Sequence, residues 1–152
     1  VMIVKRVSMA LLVSMLVACG AGEESARTIH STDAVYPAVG PYSQMVQTGN
    51  LYFLSGVIPL NSEGSSVVGD DIEQQTRQVF EHITSMLESQ SLSLADVVMA
   101  TVYMTDLGEF AAMNGVYGEY FSEAPPARAT VGVAELPRGV KIEISVIASR
   151  SP

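Results

Sequence analysis

Residues 140–148 alternate without a break. Val140, Ile142, Ile144 and Val146 fall on one side of an extended chain, and Lys141, Glu143 and Ser145 fall on the other. A strand of this kind has one face that must be covered by an apolar layer. The cover is legible at residues 72–87, where Ile72, Thr76, Val79, Phe80, Ile83, Met86 and Leu87 recur at helical spacing behind the start signal Asp70-Asp71. This segment predicts an amphipathic helix ending near Ser89.

The rest of the chain punctuates itself into similar pieces. Arg27–His30, Met45–Gln47 and Leu51–Val57 read as strands, the last two joined by a hairpin at Gly49-Asn50. Val97–Met104 is apolar and β-branched, hence a strand. Phe110, Met113, Tyr117, Tyr120 and Phe121 mark a second helix, stopped by Pro125-Pro126, and Ala129–Val133 is a short strand. The predicted order is β-β-β-α-β-α-β-β, an α+β layer pair with two helices on one face of a single sheet. The other face keeps apolar positions with no helix left to cover them, so self-association is expected.

Residues 1–18 belong to another category. Lys5 and Arg6 precede an almost unbroken apolar run from Val7 to Ala18, the layout of a secretory signal peptide. Leu16-Val17-Ala18-Cys19 has the form of a bacterial lipobox, and Cys19 is the chain's only cysteine. The expected organisation is a signal at 1–18, lipidation at Cys19, a flexible tether at 19–26 and one domain at 27–152. Gly20, where an inner-membrane protein would carry aspartate, points to the outer membrane. The expected location is the periplasmic side of a bacterial envelope, with membrane contact only through the lipid.

Charge and side-chain chemistry narrow the function classes. Sixteen acidic residues stand against eight basic ones, a net charge of −8. Such a surface repels phosphate backbones, so no nucleic-acid partner is expected. One cysteine and two histidines far apart in sequence leave no material for a zinc or cluster site, and no metal is expected.

Two charged residues occupy unusual places. Arg128 opens an apolar strand, where it requires an anion: a structural carboxylate such as Glu119 or Glu123, or a ligand carboxylate held in the guanidinium fork. Glu143 lies mid-strand, opposite Ile142 and Ile144, facing either solvent or a desolvated site where its raised pKa would suit a general base. Tyr42, Ser55, Asn114 and Thr130 are further polar candidates, each with an ordinary packing alternative.

Several segments together carry a family resemblance. Gly40-Pro41-Tyr42-Ser43-Gln44, Ser55-Gly56-Val57-Ile58-Pro59, Thr105-Asp106-Leu107 with Phe110, Asn114-Gly115-Val116-Tyr117, and Pro126-Ala127-Arg128 through Ile142-Glu143-Ile144 run colinearly from about Thr28 to Ala148. The chain resembles the Rid family, the reactive intermediate deaminases also called YjgF. The resemblance implies a chorismate-mutase-like fold and a homotrimer whose three sheets form a central barrel, with ligand clefts between subunits. It implies hydrolysis of enamines and imines such as 2-aminoacrylate and 2-iminopropanoate to 2-keto acids and ammonium, with no metal or organic cofactor. Arg128 matches the arginine that binds the substrate carboxylate, and Glu143 the glutamate that positions or activates water. Tyr42, Ser55 and Asn114 match cleft residues. Thr130 stands where the family often has cysteine, and Val57 where the deaminases have glutamine; the second change removes an amide and is expected to shift substrate size. The alternative to an imine deaminase is a non-catalytic trimer that binds small carboxylates. Within the family's range, ribonuclease action fits the acidic surface poorly, and a holdase would act independently of Arg128.

Overall fold

The computed structural model describes residues 26–151, so the expected signal peptide, Cys19 and the tether as far as residue 25 lie outside the described residues. In chain order the elements are β1 (Thr28–His30), β2 (Met45–Thr48), β3 (Leu51–Leu54), α1 (Ile72–Glu88), β4 (Val97–Met104), α2 (Phe110–Tyr120), β5 (Ala127–Gly132) and β6 (Ile142–Ser149). This is the expected α+β order. The strands form one six-stranded sheet in the order β1-β2-β3-β6-β4-β5. All neighbours are antiparallel except β4 and β5.

Local chemistry sets the turns. Gly49 holds the first position of the β2–β3 turn at φ 58°, a conformation that favours glycine. The Asp71 carboxylate accepts from the Gln74 N–H at 2.8 Å and starts α1. From β3 through α1 to β4, and from β4 through α2 to β5, the chain crosses the sheet in one direction. Crossovers of one hand and one direction place both helices on one face.

That face is the core. Val79, Phe80, Ile83 and Leu87 of α1 meet Ala100, Val102 and Met104 of β4 and Ile142, Ile144 and Val146 of β6, all buried. The alternation read from the sequence is therefore the seam between α1 and the sheet. On the opposite face the registers align Ile29, Val46, Phe53, Ile147 and Met99 into an apolar row across five strands. Ile29 is 59% and Phe53 38% exposed, so this row lies open in the single chain.

Three strand limits differ by two residues or more from those expected. Strand β3 stops at Leu54, and Val57 keeps only an isolated bridge to Ile144, because the chain bends at Ser55-Gly56. Strand β5 starts at Ala127, which puts Arg128 inside the ladder opposite Ala100. Strand β6 starts at Ile142, because the Lys141 N–H is taken by the Gln75 side chain at 2.8 Å.

Candidate active site

Strand parity decides which candidates can meet. Tyr103 faces Glu143 across β4 and β6 and faces Val131 across β4 and β5, so these three share the open face. Ala100 faces Arg128 and Val102 faces Thr130, and both alanine and valine are buried under the helices. Arg128 and Thr130 thus belong to the helix face and Glu143 to the other. Glu143 and Arg128 are two strands apart and three residues out of level, about 10 Å in each direction from ordinary sheet spacings. The candidates form two separate half-sites.

The first half-site gathers around Glu143. A cavity of about 310 Å³ is lined by Val39, Tyr42, Ser55, Gly56, Ile58, Pro137 and Glu143. Its parts are fixed locally. The Tyr42 hydroxyl accepts from the Val39 N–H at 3.2 Å, and the Ser55 hydroxyl donates to the Ser43 carbonyl at 2.7 Å. The Glu143 carboxylate lies against the backbone of Gly56, where a Cβ would come 1.8 Å from Oε1. This explains why glycine stands at the bend after β3. Among the described residues no hydrogen bond or ion pair reaches the Glu143 carboxylate, and burial pushes its pKa up from the ordinary carboxylate value. A half-buried carboxylate with a raised pKa is suited to taking and returning a proton.

A substitution at the bend reads this contact. Gly56→Ala drives the carboxylate aside by more than an ångström, and a displacement of that size costs about 100-fold in turnover. The expected result is a folded protein, judged by its melting curve, whose catalytic rate falls on that scale.

The second half-site surrounds Arg128. A cavity of about 400 Å³ is lined by Asn114, Tyr117, Gly118, Phe121, Pro125, Pro126 and Arg128. The carboxylates considered as structural partners are not used: Glu119 is paired with Arg77, and neither it nor Glu123 bonds Arg128. The guanidinium instead lies over two rings of α2, 4.4 Å from the Tyr117 centroid and 5.6 Å from that of Phe110. Among the described residues no carboxylate pairs with it. Asn114 sits at the mouth of this cavity. Thr130 does not line it; its Oγ1 is buried on the same face without a partner.

Two further positions refine the reading from sequence. Val57 is 3% exposed, packs in the core and does not line the Glu143 cavity. Tyr117 and Phe110 were legible only as apolar helix positions. Their common face on α2, seven residues apart and level with an arginine-bearing strand, is the signal that identifies them as its neighbours. Among the described residues no group of three or more histidine, cysteine or acidic side chains converges as a metal would require.

The α+β sheet thus carries an arginine stacked on aromatic rings on one face and a desolvated glutamate on the other. Comparison with known proteins gives the family. Residues 32–150 match the family model described as Endoribonuclease L-PSP. A RutC family protein of Pyrococcus horikoshii is 49% identical over 110 residues, covering 72% of this chain and 87% of that protein. A protein of Dermatophagoides farinae named 2-iminobutanoate/2-iminopropanoate deaminase is 37% identical over 123 residues, covering 81% and 96%. The crystal structure of Escherichia coli TdcF with bound serine superposes with a TM-score of 0.77 at 37% identity, covering 82% of this chain and 99% of that one. The chain belongs to the Rid/YjgF family.

Proposed function

We propose that the protein hydrolyses small 2-imino and 2-enamino acids to 2-keto acids and ammonium, at sites that take Glu143 from one subunit and Arg128 from its neighbour. The observation that carries this reading is the unpaired, desolvated Glu143 carboxylate held on Gly56, together with an arginine that no protein carboxylate engages. Likeness to a named iminobutanoate deaminase and to a relative that holds serine, a small molecule with one carboxylate, supports it.

The chemistry follows from the two groups. Arg128 takes the substrate carboxylate in a two-point hydrogen bond. Glu143 accepts a proton from water as the water oxygen bonds to the imine carbon and the C=N pair moves to nitrogen. The carbinolamine then collapses: the proton on Glu143 passes to its nitrogen, the C–N bond breaks as the O–H pair forms the C=O bond, and Glu143 takes the released hydroxyl proton and hands it to the departing ammonia, which leaves as ammonium. The iminium carbon is already electrophilic, so orientation and one proton transfer suffice.

Opposite sheet faces within one chain require a second copy, and the open apolar row offers the surface for it. The proposed assembly is a homotrimer with three such clefts. Subunit mixing tests the arrangement. Arg128→Ala and Glu143→Ala proteins, each reduced to about a hundredth of wild type or less at substrate levels below KM, are dissociated, mixed in equal amounts, reassembled and assayed at those levels. Keto-acid release returns to about a quarter of wild type, since one cleft in four draws both intact halves from random neighbours. No recovery after demonstrated subunit exchange contradicts a shared cleft.

We also place the protein at the periplasmic side of the outer membrane, held by a lipid on Cys19. Cys19→Ala moves it from the membrane fraction to the soluble fraction and abolishes labelling by radioactive palmitate. The substrates at that location are imines released by amino-acid oxidation or racemisation in the envelope.

A further inference from the structure

The Arg128 guanidinium is carried by aromatic rings and not by a salt bridge. Phe110 begins α2, and Tyr117 lies seven residues later on the same side of the helix. Their ring centroids stand 5.6 and 4.4 Å from the guanidinium carbon. We propose that Phe110 and Tyr117 are positioning residues for Arg128: a two-ring cradle that lays the guanidinium flat and turns its N–H edge into the cavity beside Asn114.

Three observations support the assignment. Tyr117 is 5% exposed and already packs its ring against Phe80 and Phe121, yet its hydroxyl is buried without a hydrogen-bond partner. The core therefore fixes the ring, and with it the face over which the guanidinium lies. Burial pushes the Tyr117 hydroxyl pKa up, and Arg128, 4.4 Å from the ring centroid, partly offsets the rise. Phe110 is 38% exposed, and its ring centroid stands 5.6 Å from the same guanidinium. An arginine has many rotamers, and a carboxylate needs two parallel N–H groups in one plane. Stacking on rings fixes that plane without consuming the donors.

The proposal rests on Arg128 as the carboxylate-binding residue, and the test separates the two. The probe is 2-oxobutanoate, a stable 2-keto acid, titrated calorimetrically into the assembled protein. Tyr117→Leu weakens its binding about tenfold and Phe110→Leu about threefold, while Tyr117→Phe, which keeps the ring, stays within about twofold of wild type. In turnover the leucine variants raise KM by the same factors and leave kcat within about twofold, because Glu143 is untouched. The Arg128 Nε–H proton resonance, assigned by its loss in Arg128→Lys, lies upfield from ring currents in wild type and Tyr117→Phe. It moves to its ordinary position in Tyr117→Leu. A purely structural Tyr117 would lower the melting temperature and leave the affinity unchanged, even where loss of the ring moves the resonance.

Wild-type affinity in folded Tyr117→Leu and in Phe110→Leu overturns the cradle alone, provided Arg128→Ala loses the probe. If Arg128→Ala binds the probe as wild type does, the carboxylate reading falls and the cradle's role in binding falls with it. Should Tyr117→Leu fail to fold, Phe110→Leu at its half-exposed position decides by the same affinity.

Discussion

Arg128→Ala lowers kcat/KM for 2-imino acids by about 100-fold, mostly through KM. A charge-assisted pair of hydrogen bonds to a carboxylate contributes roughly 1.5–3 kcal/mol, and each 1.4 kcal/mol is tenfold. The fold survives the change, because among the described residues Arg128 makes no ion pair and its loss removes ring contacts worth about 1 kcal/mol. Keto-acid release at substrate levels below KM, with a thermal melt as control, measures both effects. Arg128→Lys restores little, since a point charge replaces a planar fork. Equal kcat/KM in the alanine variant would remove Arg128 from the site.

The second large effect is on kcat. Glu143→Gln lowers it by about 100- to 10,000-fold, the usual worth of one positioned general base, while leaving 2-keto-acid binding intact. Its pH dependence has a fixed sign. Only the ionised carboxylate can take the proton, so the wild-type rate falls as pH drops through the Glu143 pKa, which burial raises above the ordinary carboxylate value. Stability runs the other way. A carboxyl whose folded pKa is raised disfavours the folded state above that pKa, and the penalty is relieved as pH falls through it towards the unfolded value. Glu143→Gln therefore melts at a higher temperature than wild type at neutral pH, and the acid-side gain in stability seen in wild type disappears. Loss of activity paired with gain of stability is what a desolvated functional group produces and a structural one does not. A protein that only binds carboxylates has no use for such a base, and in it the glutamine variant would change neither binding nor any rate.

Much of the fold is legible in the residues because its signals are local and repeated. The spacing of Ile72, Val79, Phe80 and Ile83 and the alternation at 140–148 each report one covered face, and both faces are buried against each other. The strand limits at Leu54, Ala127 and Ile142 were less legible, because they depend on partners distant in sequence: Glu143 over Gly56, β4 beside Arg128, and Gln75 on Lys141. The two charged residues stand out by being charged inside apolar strands. Their separation onto opposite faces is invisible in either segment alone, since it arises from the registers that β4 makes with β5 and β6. The ring cradle was hidden for another reason. Phe110 and Tyr117 fit a helix's apolar stripe whether or not a guanidinium lies on them, and only the tertiary contact distinguishes the cases. Val57 is the converse case. Its place in a recognisable segment drew attention to the site, but its side chain turns into the core.

The central claim is imine hydrolysis, and one rate tests it. The protein from Gly20 to Pro152 is given 2-iminopropanoate, generated continuously from alanine by an amino-acid oxidase in the presence of semicarbazide. Hydrolysis competes with trapping, so catalysis appears as pyruvate formed at the expense of the semicarbazone. The account predicts a rise in pyruvate release that scales with protein concentration and vanishes in Arg128→Ala and Glu143→Gln. Trapping unchanged by wild-type protein, with this imine and with longer 2-imino acids, would contradict the account and leave a carboxylate-binding trimer in its place.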